Sequence, residues 1–179
     1  IGREGGEGRG AEKGLSRRIL QQQYEEKEIL LIFEYIYGHQ RKLDIAKAKL
    51  IFENAKHKYL SEDSIIADRK LELAFKGIGH FFGWMGETPD EKKSLELFIY
   101  MFSHYEDNII LKDLGGFILN TMALIYNNKK NPLKYSANTK NLLEKAFSKY
   151  NSEIAKRNLD SIFNSAQKTE NRENTPIFD

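Results

Sequence analysis

The sequence predicts an all-α protein, and three observations predict it. Over residues 67–85, Ala67, Leu71, Ala74, Phe75, Ile78, Phe82 and Met85 recur at helical spacing and fall on one stripe. Strand-like alternation never lasts more than a few residues, and no Asn-Gly or Asp-Gly hairpin pair occurs. Of the three prolines, Pro89 and Pro132 stand between helical segments and Pro176 lies near the end.

About seven helices follow in order. The first is expected from about Leu15 to Tyr37, closed by Gly38. The second runs from about Asp44 to Tyr59 with Ile45, Ala48, Phe52, Ala55 and Tyr59 inward. The third, Ile65 to Met85, ends near Gly86. In Thr88-Pro89-Asp90-Glu91, Thr88 can cap, Pro89 fits a first turn, and Glu91 can reach back to the Thr88 amide. A fourth helix is therefore expected from Pro89 to about Tyr105, with Leu95, Phe98, Ile99 and Phe102 inward. The fifth spans about Lys112 to Tyr126 and the sixth about Asn138 to Tyr150. The seventh, about Ser152 to Ala166, aligns Ile154, Ala155, Leu159, Ile162, Phe163 and Ala166.

These elements fit one α-helical domain over residues 15–167, since 179 residues suit a single domain. Residues 1–14 hold six glycines among charges and are expected as a flexible tail; residues 168–179 are expected as a polar tail. With no cysteine, disulfides, thiolate metal sites and a cysteine nucleophile are excluded. The 28 basic residues nearly balance the 26 acidic ones, which announces neither a nucleic-acid nor a membrane partner. The apolar run Ile29–Phe33 is far too short to span a bilayer and is flanked by Glu25, Glu26, Glu28 and Glu34. No membrane insertion is expected, and the chain reads as cytoplasmic or otherwise soluble and intracellular.

The helices look paired. Tyr35-Ile36-Tyr37-Gly38, Phe81-Phe82-Gly83-Trp84-Met85-Gly86 and Leu124-Ile125-Tyr126-Asn127-Asn128 each close a first helix, and second helices carrying Phe52, Phe98 and Phe147 follow. Intervals of 48 and 42 residues separate Gly38, Gly86 and Asn128, a period that belongs to helix-pair solenoids. Thr121-Met122-Ala123-Leu124-Ile125-Tyr126, followed by Asn141-Leu142-Leu143-Glu144-Lys145-Ala146, resembles the Ala-x-x-Tyr and Leu-x-x-Ala elements of tetratricopeptide repeats. Gly77, Gly79, Phe82 and Gly86 resemble the small residues and glycine turn of Sel1-like repeats. The resemblance spans about residues 29–150 and implies an α-solenoid of stacked antiparallel pairs that binds another protein and has no catalysis of its own. An irregular antiparallel helical bundle is the alternative architecture.

Charge falls in blocks. Residues 39–58 carry a net +4 through Arg41, Lys42, Lys47, Lys49, Lys56 and Lys58. Residues 86–107 carry a net −4, and residues 127–149 a net +5 through Lys129, Lys130, Lys134, Lys140, Lys145 and Lys149. Such blocks are either a solvated outer face or an electrostatic docking surface, with Lys47, Lys49, Lys56, Lys140 and Lys145 as candidate partner contacts. Phosphate contact is a minor alternative, because the basic blocks contain no arginine-rich run. Phe81, Trp84 and Tyr100 are candidate aromatic anchors, or rings covered by the neighbouring pair. His39, His57, His80 and His104 fit no metal-ligand spacing, and no Gly-x-Ser-x-Gly, Walker or Gly-x-Gly-x-x-Gly motif occurs. The sequence reads as non-enzymatic, without cofactor or metal: an adaptor or a stoichiometric inhibitor such as a toxin-immunity protein, or alternatively a structural subunit of a large assembly such as a ribonucleoprotein.

Overall fold

The structure, a computed structural model, describes residues 6–61, 68–128 and 136–164. These form seven α-helices and no strand: α1 Gly6–Tyr37, α2 Ile45–Leu60, α3 Arg69–Phe82, α4 Glu91–Tyr105, α5 Lys112–Asn127, α6 Ser136–Tyr150 and α7 Glu153–Leu159. A 3-10 turn, Glu106–Asn108, follows α4, and a π turn, Asp160–Asn164, extends α7. The expected start of the third helix at Ile65–Ala67, the end of the seventh at Ala166 and the tail at 168–179 lie outside the described residues.

Several ends differ from the sequence expectation for local reasons. α1 begins at Gly6, inside the stretch expected as a tail. Good helix formers (Glu7, Arg9, Ala11, Glu12 and Lys13) stand there between glycines that each cost about 1 kcal/mol relative to alanine. α3 stops at Phe82 because Gly83 takes the left-handed conformation and donates back to Gly79 and His80. α4 starts two residues later than expected. Asp90, not Thr88, is the cap and accepts from the Lys93 amide at 3.0 Å. Glu91 instead accepts from Asn128 Nδ2. Two residues expected inward, Ile45 and Ile99, are exposed, and Met101 takes the inward place in α4.

The helices pack as consecutive antiparallel pairs: α1 with α2, α3 with α4, α5 with α6. α2 also meets α3, α4 meets α5, and α7 folds back on α6 and α5. The row is curled, however, for α1 packs against both α3 and α5. Phe33 and Tyr37 of α1 stack on Phe117 of α5 with ring centroids 5.7 and 5.6 Å apart. Consecutive pairing and closed packing thus coexist. Leu114 through Ala123 of α5 are all buried, as an apolar helix covered on every side requires. Inside this core the Tyr37 hydroxyl bonds to Thr121 Oγ1, and burial pushes the phenol up to about 12 against the opposing hydrogen bonds.

Two close approaches explain glycines that weaken their helices. A methyl group at Gly77 would collide with the Phe98 ring of α4, and one at Gly115 with the Tyr150 ring of α6. Ser94 Oγ donates to the Gly77 carbonyl at 2.7 Å, fixing the α3–α4 contact where the two backbones come nearest.

Candidate partner-binding surface

α2 packs Ala48, Phe52, Ala55 and Tyr59 against α1 and α3. Asp44 starts it by accepting from the Lys47 amide at 3.0 Å. Helical rotation places Leu50 nearly opposite that buried stripe, with Lys49 and Lys47 to its two sides. Leu50 is 60% exposed, and Leu43 and Ile45 at the start of the helix are exposed as well. The chain's other basic groups nearby are engaged: Arg41 with Glu34 at 2.8 Å, Lys56 with Glu53 at 2.9 Å, Lys58 with Glu28 at 3.4 Å. Among the described residues no carboxylate lies within 4.0 Å of the Lys42, Lys47 or Lys49 ammonium groups. Lys47 Nζ lies 5.1 Å from the centre of the Tyr35 ring, which also lies 5.5 Å from the Arg41 guanidinium.

The second basic block behaves differently. Lys145 and Lys149 of α6 both reach Glu106 Oε1 at 2.8 Å, and Tyr150 donates to the same oxygen at 2.9 Å. Lys140 stands 4.0 Å from Glu144. Lys129, Lys130 and Lys134 lie outside the described residues. Lys145 is therefore a structural tie between α6 and the turn after α4, and the acidic block neutralises part of the basic one.

Partial burial raises the Glu106 carboxyl, but hydrogen bonds from Lys145, Lys149 and Tyr150 outweigh it and hold the pKa down to about 2. A carboxylate lowered in the fold contributes stability above its unfolded value of 4.5, and that contribution disappears as pH falls toward 2. Urea unfolding of Glu106→Gln should show the variant less stable than the parent at pH 6, with the gap narrowing steadily below pH 4.5. A gap independent of pH would mean that Glu106 acts through packing and not through charge.

The aromatic candidates separate in the same way. Trp84 is buried: its ring stacks on Phe82 at 4.4 Å and tilts against Phe52 at 5.4 Å, so the chain itself covers it. Phe81 is half-buried and packs edge-on to Phe82. Tyr100 is exposed on α4 beside Ile99 and stacks on His104 at 4.1 Å. The apolar residues of the α2 face, Leu43, Ile45 and Leu50, escaped the sequence reading. Leu50 carried a usable signal, since it falls off the stripe that contains Ala48, Phe52, Ala55 and Tyr59.

Among the described residues no group of three or more histidine or acidic side chains is placed to hold a metal ion. None of the described helices is long and apolar enough to cross a membrane. A shallow cleft of about 240 Å³ lies among His39, Asp113, Phe117 and the Asn151–Ile154 turn. Its Asp113 and Glu153 occupy the first turns of α5 and α7, where acidic side chains suit the helix dipole. No family model, no curated protein and no solved structure matches the chain, so the tetratricopeptide and Sel1-like resemblance rests on the residues alone.

Proposed function

We propose that the chain is a non-enzymatic helical protein-binding module, an adaptor or a stoichiometric inhibitor of the toxin-immunity kind, acting in a soluble intracellular compartment. The observation that carries this reading is the α2 face, where exposed Leu43, Ile45 and Leu50 stand among lysines that no described carboxylate engages. An apolar centre with charged surroundings is the general layout of a protein interface. The consecutive helix pairs add rigidity, because a preformed surface loses little entropy when a partner docks. The class of inhibitor is an analogy from architecture to role.

Affinity capture from an extract of the source cells tests the reading. A protein should be retained in stoichiometric amount after nuclease treatment, with only a shallow dependence on salt. Retention that vanishes with nuclease and falls steeply with salt would replace this reading by the ribonucleoprotein one.

A further inference from the structure

Resting on the protein-binding reading, we infer that the outer face of α2 receives an acidic amphipathic helix of the partner, its apolar side over Leu50 and its carboxylates on Lys47 and Lys49. Shape and charge both favour that occupant. α2 offers a straight ridge about 24 Å long, from sixteen residues at 1.5 Å each. It presents no strand edge to pair with, so the natural complement is a second helix whose side chains interlock with its own. Leu50 forms the apolar crest, with Leu43 and Ile45 extending it toward the start of the helix. Lys47 and Lys49 flank the crest on opposite sides, as two rows of carboxylates on a helix lying along α2 would require.

The alternatives fit less well. A second copy would bring the same basic face against itself, and like charges there repel. A membrane would be a uniformly anionic sheet, whereas this face also carries the exposed carboxylate of Glu53, between Leu50 and His57.

A photo-cross-linking residue placed at position 50, with controls at positions 20 and 100, tests the inference in the source-cell extract, the linked segment being sequenced by mass spectrometry. The position-50 probe should attach to a helix-forming segment with net negative charge and apolar residues at three- and four-residue spacing. The double variant Lys47→Glu, Lys49→Glu should bind that protein about tenfold or more weakly, and reversing the linked carboxylates to lysine should restore binding. Attachment to a basic segment, a lipid, a nucleic acid or a second copy would overturn the inference, as would unchanged binding by the double variant. Protein captured from position 20 or 100 but not from 50 would overturn the α2 assignment and leave protein binding standing. Capture of no protein from any of the three positions would overturn both.

Discussion

Replacing Glu26 by alanine should destabilise the fold by about 3–5 kcal/mol, the penalty for stranding one partner of a buried ion pair. Glu26 on α1 and Lys70 on α3 are 0% and 1% exposed, with Nζ 3.3 Å from Oε2. Each also satisfies backbone groups between α4 and α5. The Glu26 carboxylate accepts from the Ile110 amide at 3.0 and 3.1 Å and from the Leu111 amide at 3.2 Å. Lys70 donates to the Asn108 carbonyl at 2.7 Å. α5 starts at Leu111, which has no capping side chain, so Glu26 serves as its cap from 85 residues away. One carboxylate thereby joins the first, second and third helix pairs. In urea, at a slope of about 2 kcal/mol per molar, the midpoint should fall by about 2 M. Removing both charges, with Glu26→Leu and Lys70→Met, should recover only part of the loss, because two amides then lack an acceptor. A single-variant loss below about 1 kcal/mol would show that water reaches the pair.

That clamp was invisible in the sequence, and the reason is physical. Glu26 lies in a run with Glu25 and Glu28, and acidic runs ordinarily face water. Only the lysine 44 residues away and the amides 84 and 85 residues away justify its burial, and no local pattern encodes them. What repeats locally was legible. The α2 stripe of Ala48, Phe52, Ala55 and Tyr59 is buried as its spacing implies, and Gly38 closes α1 in the left-handed conformation. Ile45 and Ile99 misled because they sit at the margin of their stripes, where the position of the neighbouring helix decides burial.

The candidate surface divides along the same line. The sequence located a basic second helix but could not distinguish free charge from charge spent internally. Lys145 meets Glu106 across an interval of 39 residues, whereas Lys47 and Lys49 meet no described carboxylate. Trp84 points away from the α3 stripe in sequence, yet the chain turns at Gly83 and folds the indole onto Phe82 and Phe52. Periodicity inside a helix says nothing of where its last residues go once the helix has ended.

Phe52→Ala should cost about 3–5 kcal/mol, and it separates loss of the α2 face from loss of docking. Phe52 is fully buried, and its ring lies parallel to that of Phe75 with centroids 4.1 Å apart. Phe75 in turn stacks on Tyr59 at 4.7 Å, so three rings bind α2 to α3. The ring also lies over Gly79, where any side chain would strike it, and that bare stretch of backbone has nothing to move into the void. Trp84, the one tryptophan in the chain, is 5.4 Å from Phe52 and reports on the site. In Phe52→Ala its emission should shift to the red and thermal unfolding should begin earlier, and any partner bound at α2 should be lost with the face that holds it. Lys47→Glu, Lys49→Glu should leave emission and melting near the parent values, since both lysines point outward. Unaltered melting of Phe52→Ala would mean that α2 is held chiefly by α1, through the Lys58–Glu28 pair and the Tyr59 hydroxyl on the Glu25 carbonyl.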